Sequence, residues 1–149
     1  MQFRTDAQKE CYEKILPWLS EKFNGMIRPA EDLPAFFVTQ GTAVLHIAIF
    51  PWGTADSVIQ CRAYVVTDVE LTPDLMSFLL FQNTQLRFGA FGIDGDGDII
   101  LEHSLAGPTA DKMSIQTIAG LILASAVKYG AEIVARWGGQ RAREPEINI

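Results

Sequence analysis

The side chains able to do chemistry in this sequence are few. Asp94, Asp96 and Asp98, in "IDGDGDI", place three carboxylates at alternate positions. An EF-hand loop offers its oxygens at positions 1, 3 and 5 with the same spacing, but it also needs glycine at 6 and a bidentate Glu at 12. Ile99 and Leu105 stand at those two places. The flanks "LRFGAFGI" and "DIILEHSL" are aromatic and β-branched, which is strand chemistry rather than helix. The run therefore predicts a β-hairpin whose Asp-Gly steps supply a tight turn, and no metal site. A two-residue turn within 94–97 would put Leu86, Phe88, Ala90, Ile99, Leu101, His103 and Leu105 on the core face. Arg87, Gly89, Phe91, Ile100, Glu102 and Ser104 would share the other, with Glu102 and Arg87 as a cross-strand ion pair.

His46 and His103 are the only histidines. Strand alternation sends them to opposite faces, so they form neither an acid–base pair nor a shared metal site, and each is expected to be structural. Cys11 and Cys61 lie far apart without metal-ligand spacing, and are expected to be reduced, buried apolar residues. No nucleophile elbow, phosphate loop or dinucleotide glycine fingerprint is present. The glycines of "FGAFGIDGDG" precede a strand rather than a helix, so they offer no phosphate cradle. These observations predict a protein without catalytic residues and without a cofactor.

Trp52, between Pro51 and Gly53, is either a loop anchor or an aromatic contact for a partner. Phe36 and Phe37 are adjacent in a strand and must face opposite sides, so one of them is a candidate for exposure. With Phe50, Arg62, Tyr64 and Phe91 they outline an amphipathic sheet face, the expected surface for a peptide or a second subunit. The competing expectation is a helix of the same chain covering that face.

Positioning these side chains takes a sheet and three helices. The 149 residues suit one domain, and a net charge of −6 disfavours a general nucleic-acid binder. A first helix should start at Thr5, run with Cys11, Ile15, Leu19 and Phe23 as its apolar stripe, kink or break at Pro17, and end near Asn24-Gly25. Strands follow in "AFFVTQ", "AVLHIAIF" and "SVIQCRAYVVT". If Ile49 opposes Ile59, Leu45, Ile47, Ile49, Ile59, Cys61, Ala63 and Val65 form a dry face. Thr72-Pro73-Asp74 begins a second helix whose body, "LMSFLLF", is apolar nearly all round and so should be covered on more than one side. A long third helix runs from about Thr109 to Trp137. Its uncharged run 113–127 would span roughly 22 Å, short of the roughly 30 Å hydrocarbon core, so burial rather than membrane insertion is expected. The polar N-terminus lacks the apolar stretch of a signal peptide, so a cytoplasmic protein is expected.

The order helix, three strands, helix, two strands, helix resembles the YbjN family, which is related in fold to the CesT-type chaperones of type III secretion. The local match is a helix carrying Leu79 and Asn83, then Leu86, Phe88, Gly89, Phe91, a glycine turn and Ile99. The resemblance implies an α+β fold: a twisted antiparallel five-stranded sheet with three helices, usually dimeric, binding peptides or partner proteins without catalytic residues. On this reading residues 1–138 form the domain and 139–149 a polar tail. The expected function is a non-enzymatic peptide- or protein-binding module, chaperone-like or adaptor-like, acting as a homodimer. A small-ligand sensor or enzyme with a pocket near His46, Arg62 and Tyr64 is the alternative, and a structural subunit of a larger assembly is a third.

Overall fold

The computed structural model describes residues 1–141. Its elements are α1 (Asp6–Lys22), β1 (Ile27–Pro29), β2 (Ala35–Gln40), β3 (Ala43–Trp52), β4 (Asp56–Thr67), α2 (Pro73–Gln85), β5 (Ala90–Ile93), β6 (Ile99–Ala106), α3 (Lys112–Trp137) and β7 (Gln140–Arg141). The architecture is the expected α+β fold with three helices, but the antiparallel sheet has seven strands where five were expected. The five anticipated strands are present, in the order β2-β3-β4-β6-β5. The additions are β1, three residues long, at the β2 edge, and β7, which pairs with the end of β4. Both are too short for an alternation of side chains to be visible in sequence. Gln140 and Arg141 thus belong to the sheet rather than to the expected tail, whose remaining residues 142–149 lie outside the described residues.

Local chemistry fixes the helix starts. Thr5 caps α1 by accepting from the Gln8 N–H at 3.1 Å, and Thr72 caps α2 by accepting from the Leu75 N–H at 3.2 Å with Pro73 behind it. Asp111 and Ser114 form a reciprocal capping box on α3. Pro17 does not break α1, which runs unbroken to Lys22. The proline sits on the exposed side, while Ile15 and Leu19 on either side of it are fully buried and hold the helix to the core.

One face of the sheet carries the main core. Ile49 does oppose Ile59, and Leu45, Ile47, Ile49, Ile59, Cys61, Ala63 and Val65 are all buried against the helices. The apolar face of α3 (Ile115, Ile118, Ile122, Ala126, Tyr129 and Ile133) is buried in the same cluster. That helix is long and apolar enough to cross a membrane by composition, yet its buried face makes it a core element. At Gly130 an added Cβ would lie 3.1 Å from the Val65 carbonyl oxygen, so the absence of a side chain lets α3 approach the β4 backbone. The opposite sheet face holds a smaller cluster of Ala30, Ala35, Phe37, Val44 and Ala48, flanked by Leu33 and Phe50.

Candidate functional site

Cross-strand register lines up one row on this outer face. Arg28 opposes Phe37, Phe37 opposes His46, His46 opposes Arg62, and Arg62 opposes Glu102. The Arg28 guanidinium lies 4.3 Å over the Phe37 ring, and that ring stacks on His46 at 5.2 Å between centroids. Arg62 donates through Nε to Glu102 Oε2 at 2.7 Å, and its Nη2 lies 2.7 Å from the same oxygen. Glu102 therefore pairs with Arg62 and not with Arg87, which precedes β5 and lies outside the ladder.

His46 is only 7% exposed, and its Nε2 is buried without a hydrogen-bond partner among the described residues. Burial first, and the neighbouring Arg62 second, hold its pKa down at about 4, so the ring is uncharged at neutral pH. Burial likewise pushes the Tyr64 hydroxyl up. His46 is closed off from solvent, and the Arg62 cation is committed to a carboxylate. His103 lies on the helix side, opposite Cys61, where its Nδ1 accepts the Gly89 N–H at 3.1 Å.

Phe91 and both members of the Phe36–Phe37 pair, one of which was a candidate for exposure, are buried. Phe36 is fully buried on the helix side, stacked on Tyr12 at 4.5 Å. Phe37 is covered by Arg28 and the small outer cluster. Phe91 faces the helices, edge-on to Tyr129 at 5.1 Å. For Phe91 the cause is the hairpin. Asp94 N–H donates to the Asp98 carbonyl and Gly97 N–H to the Asp94 carbonyl, which leaves a three-residue loop, 95–97, with Gly97 at φ +81°. A three-residue loop with its last residue in the left-handed region shifts the pairing by one relative to a two-residue turn. The resulting register puts Phe91 opposite Leu101 and Ala90 opposite Glu102, so every side chain of β5 is turned over relative to expectation.

The same loop gathers the three aspartates, whose ligand atoms lie within 4.8 Å of one another. Asp94 Oδ1 spends itself on the backbone, accepting from Asp96 N–H at 3.0 Å and Asp98 N–H at 2.9 Å. Burial, then its neighbours Asp94, Asp96 and Asp68, pushes the Asp98 carboxyl up. These are the described carboxylates that approach metal-site spacing, and their hydrogen bonds are those of a turn.

Trp52 is 67% exposed and is not tucked onto the core. It opposes Asp56 where β3 turns into β4. Beside it opens a groove of about 530 Å³ whose lining includes Val58, Leu105, Ala106 and Pro108. A second cavity, of about 340 Å³, includes Glu10, Cys11 and Lys14 in its lining, and Asp56, Ser57 and Pro108 line both. Phe50, Arg62 and Tyr64 are half-buried along the same sheet face. Of the expected surface residues, Trp52 alone is prominent, and the walls of its groove come from the start of β4 and the end of β6. No spacing rule brings those segments together.

The second surface missed in the sequence lies on α2. Leu75 and Leu79 are buried, but Leu80 is 69% and Phe81 60% exposed, with Met76 beside them. The body of this helix, apolar all round, is covered on one side only.

A profile of the family described as "T3SS (YopN, CesT) and YbjN peptide-binding chaperone 1" matches residues 28–145. No curated protein matches the chain by sequence. Among solved structures, a chain of the ExsC–ExsE complex superposes with a TM-score of 0.64 at 12% identity, covering 85% of this chain and 96% of that one. A chain of the HopA1–SchA chaperone–effector complex gives 0.62 at 11% identity, covering 86% and 98%. A chain of the heterodimeric ExoU–SpcU complex from the type III secretion system of Pseudomonas aeruginosa gives 0.54 at 11% identity, covering 77% and 93%. At these identities the likeness is one of fold.

Proposed function

This chain belongs to the type III secretion (YopN, CesT) and YbjN peptide-binding chaperone family, and from that premise we propose that it is a non-enzymatic, cytoplasmic homodimer that holds a segment of a partner protein. The observation that carries the reading is Trp52, 67% exposed at the mouth of an apolar groove of about 530 Å³. Aromatic side chains beside apolar pockets supply much of the energy at protein interfaces, and a monomer gains nothing by leaving one in water. The groove takes an apolar side chain of the partner, while the half-buried Phe50, Arg62 and Tyr64 extend the surface along the sheet. Dimerisation uses the open side of α2, where Met76, Leu80 and Phe81 supply the apolar centre that a subunit interface needs. A small-ligand site at His46, Arg62 and Tyr64 has less support, because the imidazole is sealed and the guanidinium is paired.

Two measurements test this. Selection from a random peptide library should yield binders whose affinity drops at least about ten-fold with Trp52→Ala. Light scattering should give twice the chain mass for the native protein and the single chain mass for Leu80→Glu/Phe81→Glu. A library that yields no binder overturns the chaperone reading; a monomeric native protein overturns the dimer.

A further inference from the structure

We infer that the partner segment recognised at the Trp52 groove carries an apolar side chain with a Lys or Arg within two residues of it; this rests on the peptide-binding reading above. The two cavities at this end of the sheet differ in character and meet at Asp56. The larger is walled by Trp52, Val58, Leu105 and Pro108, which select for an aliphatic or aromatic group. The smaller presents Glu10 alongside Asp56, and among the described residues neither carboxylate is in an ion pair. Its one cation, Lys14, donates to the Gly107 carbonyl at 2.7 Å and forms no ion pair with either acid, so the lining keeps two carboxylates against one ammonium.

A segment filling the larger cavity therefore brings its next side chains over two carboxylates that outnumber the single Lys14 ammonium, in a chain of net charge −6. A basic side chain there gains an opposite charge, whereas an acidic one meets like charge at close range. An extended segment advances roughly 3.3 Å per residue, which keeps the basic residue within one or two positions of the anchor. A second copy of this chain is a poorer occupant, because it brings the same excess of negative charge.

The test uses the full-length protein and four labelled twelve-residue peptides, identical except for a central Leu–Lys, Leu–Gln, Leu–Glu or Ala–Lys pair, read by fluorescence anisotropy at low and high salt. Leu–Lys should bind about ten-fold tighter than Leu–Glu, and the preference should shrink as salt rises. Asp56→Asn should reduce that preference to about three-fold or less. Trp52→Ala should weaken all the Leu peptides about ten-fold. Both positions are exposed, and circular dichroism checks that each variant folds. Equal affinity for Leu–Lys and Leu–Glu overturns this inference alone. If the four peptides fail to bind while library-selected peptides succeed, the inference falls and the chaperone reading stands. A dimer that dissociates on Trp52→Ala would assign the groove to a second copy, and would also overturn it.

Discussion

Replacing His46 with leucine should stabilise the protein most where the medium is mildly acidic. The imidazole is 7% exposed, it stacks on Phe37 at 5.2 Å, and its Nε2 is buried with no partner among the described residues. Leucine has similar volume and no polar atom to leave unsatisfied. An unpaired buried polar group costs about 1–3 kcal/mol, offset in part by the lost ring stack, so at pH 7 the variant should be equal to the native protein or more stable by about 1 kcal/mol. Acid separates the two. Burial and Arg62 depress the folded-state pKa from 6.5 to about 4. Between those values the unfolded chain binds a proton that the folded chain refuses. Native stability therefore rises with pH across this window and is lost as pH falls from 6.5 toward 4. At pH 5 the loss amounts to about 2 kcal/mol, and His46→Leu escapes it. Titrating carboxylates affect both proteins alike and cancel in the difference. Urea denaturation from pH 7.5 to 5 measures this directly. If the two stability curves stay parallel within about 0.5 kcal/mol, His46 is not the buried neutral group described above.

Other perturbations probe the same framework. Asn83 clamps β5 to α2, accepting the Phe91 N–H at 2.6 Å and donating to the Phe91 carbonyl at 3.3 Å. Asn83→Ala should cost about 2 kcal/mol by denaturant titration and speed amide exchange at Phe91. At Gly107 an added Cβ would collide with Ser57 Oγ and come within 3.0 Å of the Ser57 carbonyl and 3.1 Å of Cys11 Sγ. Because one neighbour is backbone, Gly107→Ala should destabilise by about 2 kcal/mol or more, seen as a lower Tm. Complete burial pushes the Cys61 thiol up to about 12, so a thiol reagent at pH 8 should leave it unmodified in the folded protein and label it in guanidinium.

Local chemistry made much of this protein legible. Thr5, Thr72 and the 3.6-residue stripes located the helices, and period-two alternation assigned the dry face of β3 and β4 down to the Ile49–Ile59 pair. The glycine-rich Asp run gave a hairpin, but not whether its loop held two residues or three. That single residue turned β5 over and moved Phe91 from the expected binding surface into the core. Likewise, an apolar body in α2 predicted full cover, yet Leu80 and Phe81 remain open, since composition states how much a helix could bury and not how many neighbours reach it.

What the chain dictates unaided is set by neighbours in sequence: caps, stripes, strand alternation and the lack of catalytic or phosphate-binding motifs. What only the assembled fold decides is which side chains meet across sequence distance. Arg62 finds Glu102 rather than leaving it to Arg87, His46 is sealed under Phe37, and Trp52 gains a groove whose walls come from β4 and β6. Those outcomes depend on strand order and register, which long-range packing fixes and which no window of neighbouring residues contains.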